Sequence, residues 1–96
     1  MTLAATQLTS GGSDTDAINY STASVTPTGG RLILAAIEVL DLGGSLAIPT
    51  VSGCGLTWKF VTAIGGSSVE PILNVYRAYV DPATVTTGAI TFTGVV

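Results

Sequence analysis

The sequence predicts a small all-β protein, an antiparallel β-sandwich or jelly-roll-like barrel carrying an extended N-terminal arm. Three observations support this. Thr, Val and Ile, which fit a pleated and half-buried surface, supply 32 of the 96 residues. Glycine doublets and Pro-containing turns interrupt the chain roughly every eight to twelve residues, the spacing of a sandwich of short strands. Residues 56–64 and 72–80 also divide cleanly between two faces at a period of two.

Residues 1–19 form the arm, and residues 20–96 the single sandwich domain that a chain of this length allows. The arm mixes small, polar and weakly apolar residues, and its Gly11-Gly12 and two aspartates are turn chemistry. Residues 20–26 have the Thr-rich texture of a strand, closed by a turn at Pro27-Thr28-Gly29-Gly30. Residues 31–40 read Arg-Leu-Ile-Leu-Ala-Ala-Ile-Glu-Val-Leu without polar alternation, which predicts a strand buried on both faces, in a sandwich centre or against a partner, and Leu34 is placed in the core. A ten-residue helix competes there, but the glycine-rich flanks favour a strand. Residues 41–49 read as a loop, and residues 49–55 carry three breakers in seven. Leu56, Trp58 and Phe60 then fall on one face with Thr62 and Ile64, making Trp58 the expected core anchor with Leu56 and Phe60 beside it. Residues 72–80 give the next strand, with Tyr76 and Tyr79 on opposite faces. Asp81-Pro82-Ala83 turns the chain, and residues 88–96 close it through Ile90 and Phe92 to Val95.

Composition limits the chemistry. The chain has no His, one Cys and nine charged residues, with a net charge of −3. That removes disulfide stapling, a multi-ligand zinc site and His-based catalysis. Three scattered cations cannot track a phosphate backbone, so no nucleic-acid partner is expected. Nor is a membrane partner, because the longest apolar run is interrupted by Glu38 and too short to span a bilayer. The start of the chain carries no basic segment of a secretory signal, and the lone Cys54 fits synthesis in a reducing cytoplasm. Asp14 and Asp16, with Asn19 nearby, are weak candidates for calcium, and a solvated turn is the better reading. A carboxylate pair would require Glu38 or Asp41 to meet Glu70 or Asp81 in space. Cys54, between two glycines and lacking a basic neighbour, reads as a small buried filler. No cofactor, metal or catalytic residue is expected, and the protein is read as no enzyme. Mean hydropathy is +0.63. With so few charges, a share of the apolar side chains must meet another chain, which predicts an oligomer or a subunit of an assembly.

The segments Pro49-Thr50-Val51-Ser52-Gly53-Cys54-Gly55-Leu56-Thr57-Trp58-Lys59-Phe60-Val61, Val75-Tyr76-Arg77-Ala78-Tyr79-Val80 and Gly88-Ala89-Ile90-Thr91-Phe92 together resemble a β-sandwich module of tailed-phage virion proteins and large bacterial surface proteins. The resemblance covers about residues 20–94. In size and acidity the chain is most similar to phage capsid decoration, or cement, proteins. That resemblance implies a structural role on the outer capsid surface of the virion. The chain would act as a homo-oligomer, often a trimer, that clamps neighbouring major capsid proteins. The expected contact residues are Leu3 and Leu8 on the arm and Ile90, Phe92 and Val95 on the closing strand. The alternative is a tail-fibre or cell-surface module that binds carbohydrate, for which an exposed aromatic group beside a loop Asp would speak.

Overall fold

A computed structural model describes residues 4–13, 18–39, 48–65 and 71–95. Six strands and no helix occur among them: β1 (Asn19–Ser21), β2 (Leu32–Val39), β3 (Thr50–Ser52), β4 (Lys59–Gly65), β5 (Ile72–Tyr79) and β6 (Thr91–Thr93). They form two three-stranded antiparallel sheets packed as a small sandwich, a short sheet ordered β1-β6-β3 and a long one ordered β2-β5-β4. The chain passes between the sheets at every step except β4 to β5, so the central strand β6 pairs only with the distant β1 and β3, while β5 pairs with its neighbour in the chain, β4, and with the distant β2.

The core lies between the sheets. β5 contributes Asn74, Tyr76 and Ala78, all buried, and Val80 follows directly. β2 supplies Ile33, Ala35 and Val39 from alternate positions, and the closing segment supplies Ile90, Phe92 and Val95. The Tyr76 ring bridges the layers, with its centroid 6.0 Å from that of Phe92 on the short sheet and 5.7 Å from that of Phe60 on its own sheet. Tilted and edge-on aromatic pairs of this kind add to the area they bury.

Four sequence expectations change. β2 is a strand, but only one face is buried: Leu32, Leu34, Ala36 and Glu38 are exposed. Leu34 is therefore not a core anchor. A sheet in a two-layer sandwich meets one other layer, so an unalternated apolar run leaves half its side chains outside. β4 begins at Lys59, and a bulge between Phe60 and Thr62 breaks its alternation. Phe60 keeps the inner face opposite Tyr76 but stands 46% exposed on an edge strand, so it caps the core rather than anchoring it. Leu56 and Trp58 precede the strand and pack half-buried against the core, where the Trp58 indole Nε1 donates to the Gly53 carbonyl at 3.2 Å. Finally, the breaker-rich stretch 49–55, where no strand is expected, contains β3, whose Val51 lies opposite Phe92. Pro49 just before it lacks an N–H, which an edge strand tolerates.

Candidate functional site

The strand register builds a regular lattice on the outer face of the long sheet. Leu32 lies opposite Tyr79; Leu34 is in line with Arg77 and Lys59; Ala36 with Val75 and Thr62; Glu38 with Leu73 and Ile64. Leu32, Leu34, Ile64 and Tyr79 are 65%, 63%, 62% and 61% exposed. Large apolar side chains so grouped, and facing solvent, mark an interaction surface. The outer face of the short sheet is the opposite in character. It presents Asn19, Thr93 and Thr50 in one row and Ser21, Thr91 and Ser52 in the next, with the Ser21 and Thr91 hydroxyls 2.8 Å apart. The chain exposes 6414 Å², about a quarter more than a folded monomer of its mass is expected to show.

β2 adds a second contact device. It is an edge strand of eight residues with no Lys, Pro or bulge along it, and no strand among the described residues pairs with its outer row of backbone groups.

The polar part of this surface is concentrated. Lys59 and Arg77, two of the three cations in the chain, are direct cross-strand partners on β4 and β5. Neither makes an ion pair among the described residues. Both line a groove of about 490 Å³ with Leu32, Leu56, Tyr79 and Asp81. One oxygen of Asp81 is held by its own turn, accepting from the Ala83 backbone N–H at 2.9 Å.

The chemical candidates do not come together. Glu38 sits opposite Leu73 at one end of β5, whereas Asp81 follows the other end. Asp41, Glu70, Asp14 and Asp16 lie outside the described residues. No cluster of three potential metal ligands occurs among the described residues. Cys54 is buried and adopts a left-handed backbone (φ 58°) between glycines that also have positive φ. A Cβ on Gly55 would strike the Thr84 carbonyl oxygen, so the turn requires glycine. The Cys54 thiol points to the Gly88 carbonyl at 3.4 Å, and burial raises its pKa against the smaller lowering effect of that contact. A thiol held protonated in this way is a packing group, not a nucleophile.

The expected contact residues divide. Leu8 is exposed on an arm whose residues 4–13 are all exposed except the half-buried Thr9, and Leu3 lies outside the described residues. Ile90, Phe92 and Val95 are 5%, 6% and 8% exposed, so they face inward and cannot meet a partner. Parity explains the correction, because Phe92 pairs with Tyr20 and Val51 on the inner face while the flanking threonines take the outside. Sequence reasoning missed Leu32, Leu34, Ile64 and Tyr79 as surface groups. The signal lies in the unalternated β2, whose pattern fits a sandwich centre or a face against a partner equally and does not choose between them.

No protein-family model, curated protein sequence or solved structure matches this chain.

Proposed function

We propose that the chain is a non-enzymatic virion structural protein that decorates a phage capsid. It binds the outer face of the major capsid proteins as a homo-oligomer, with a trimer favoured, and is assembled in the host cytoplasm. The observation that carries this reading is the exposed apolar lattice of the long sheet, with Leu32, Leu34, Ile64 and Tyr79 facing solvent. A clamp acts through buried area, so it needs a broad apolar face and no reactive constellation. The net charge of −3 supports a position on the shell's outer side, away from packaged nucleic acid. The exposed arm supports reach toward a neighbouring subunit.

The test is binding to purified capsid shells stripped of decoration. Leu34→Asp and Ile64→Asp chains are expected to fold and to lose shell binding. Shell binding at wild-type strength by both chains would overturn the reading.

A second reading has one observation in its favour. Tyr79 stands exposed in the same groove as Asp81, an arrangement suited to stacking and hydrogen-bonding a sugar. As a carbohydrate-binding module of a tail fibre or cell surface, the chain would bind glycans in isothermal titration and lose that binding on Tyr79→Ala. Heatless titrations across neutral and acidic oligosaccharides would remove this alternative.

A further inference from the structure

We propose that β2 pairs antiparallel with β2 of a second copy of this chain across a two-fold axis at Ala36, joining the two long sheets into one. This inference rests on the reading of the chain as a self-associating subunit, and gives its self-contact two-fold rather than three-fold symmetry.

The edges of the two sheets are not equivalent. β1 and β3 are three residues long, and β4 carries Lys59 and the bulge after Phe60. Short length, a lysine and a bulge each blunt an edge against further pairing. β2 has eight residues in unbroken register with β5 and none of these devices, and no strand among the described residues pairs with its other side.

A hydrogen bond at the start of β2 fixes which of its groups face outward. The Val80 N–H donates to the Arg31 carbonyl at 2.8 Å, so the Arg31 backbone turns toward β5. Alternation along an antiparallel pair then directs the backbone of Ile33, Ala35, Ile37 and Val39 to β5, and leaves the N–H and C=O of Leu32, Leu34, Ala36 and Glu38 pointing away from it. The same four residues have exposed side chains.

A second β2 keeps both faces in phase only where the two-fold axis passes through a residue. An axis at Ala36 sets that residue opposite its own copy, and Leu34 opposite Glu38 of the partner subunit. Leu34, Ala36 and Glu38 then close about six main-chain bonds. On the inner side Ala35 meets Ile37 and Ile33 meets Val39 of the partner subunit, so the core runs on across the axis and the half-buried Ile37 is covered. The outer faces of both copies stay free and form one larger apolar lattice.

Glu38, the one charge on β2, selects this axis over its neighbours. The outer-face row then reads Lys59, Arg77, Leu34 and Glu38 of the partner subunit. Arg77 and that glutamate are two strand spacings apart, about 10 Å between Cα atoms, within joint reach of their side chains over Leu34. An axis at Ala35 instead sets Glu38 against Leu32 in the row of Tyr79. An axis at Ile37 brings the two glutamates diagonally together, and like charges there repel. Exposed ion pairs add little energy, so the charges set the register while strand bonds and apolar contact hold the joint.

The test is sedimentation equilibrium and light scattering on full-length chains over a concentration series. Wild type is expected to be a dimer. Ala36→Pro removes only an outward N–H, so the chain should fold, by circular dichroism, and should need about tenfold or more higher concentration to pair. Glu38→Lys and Arg77→Glu each act twice across the axis and should weaken pairing about tenfold, and the two together should restore it. Ala36→Cys should form a covalent dimer on mild oxidation and Leu34→Cys should not, which reads the axis directly and replaces the proline variant if that chain does not fold. A monomeric or trimeric wild type, a folded Ala36→Pro chain that pairs like wild type, a charge swap that stays dissociated, or a crosslink at Leu34 rather than Ala36 would each overturn the proposal. Shell binding reports on the capsid reading alone. A monomer or trimer that coats shells rejects only the β2 joint, and a dimer that ignores shells rejects only decoration.

Discussion

The Tyr76 hydroxyl donates to the Pro49 carbonyl, tying the central strand of the long sheet to the entry of an edge strand in the short one. Tyr76 is 3% exposed, and Pro49 is among the most completely buried residues. One polar contact thus fixes the two layers where their aromatic rings meet. Tyr76→Phe keeps the ring and strands a buried acceptor, which costs about 1–3 kcal/mol. Urea denaturation should show that loss with an unchanged slope.

The same group sets the alkaline limit of stability. Burial raises the Tyr76 pKa above its ordinary 10.0, and that of Cys54 above 9.0. The unfolded chain therefore releases these protons first. Their contribution is fully present below the ordinary values and is lost as pH rises through the elevated folded ones. Melting temperature should be flat with respect to these groups up to about pH 9 and decline above it. Tyr76→Phe should shallow the decline, and an equally steep decline in that variant would exclude Tyr76 as its cause.

Adjacent positions on β2 should respond oppositely. Ile33 is buried, and truncating it to Ala should cost about 2–5 kcal/mol. Leu34→Ser lies on the exposed face and should change the stability of the isolated subunit by no more than about 0.5 kcal/mol. Thermal melts of the two variants check the assignment of faces directly.

Asn74 is 0% exposed, with neither side-chain polar atom hydrogen-bonded. It faces Ile37 and Ala63 across the inner side of the long sheet. Leu keeps the branched outline of the Asn side chain and removes the desolvation penalty of its two orphaned atoms, so Asn74→Leu should stabilise the fold by about 1–3 kcal/mol where its larger methyls are accommodated. Denaturant titration reads the sign. A loss in Asn74→Leu matched by a loss in the smaller Asn74→Val would point to an amide that bonds a trapped water rather than to overpacking.

Gly55→Ala combines a positive φ of 65° with a clash against the Thr84 carbonyl. It should destabilise by more than about 1 kcal/mol. Gly88→Ala, with open space around its Cβ, should not. Parallel melts of the pair separate the demand of the turn from a general cost of replacing glycine.

Much of this architecture was legible in the residues. Thr and Val content, turn spacing and the two-fold pattern of residues 72–80 led to an all-β sandwich with β5 nearly in place, and the glycine flanks of Cys54 identified it as packing. Three features were not legible. Pairing is non-local, so nothing near residues 50–52 announces β6 as their partner. The bulge after Phe60 shifts parity by one residue, which no local pattern encodes. An apolar run records only that water is to be excluded from both faces, and does not say whether the protein's own second layer or another molecule excludes it. For that reason Leu34 reads as core from the sequence although it faces solvent, while Ile90, Phe92 and Val95, which read as contact residues of a closing edge strand, fill the core.

The two outer faces of the sandwich differ so completely in wettability that stacking has a built-in stop. One side invites a further layer, while the other, tiled with Thr and Ser hydroxyls, keeps its water. On the proposed reading, subunits docked through the apolar face would turn the hydroxyl face outward, and growth would end at a monolayer without a separate capping factor.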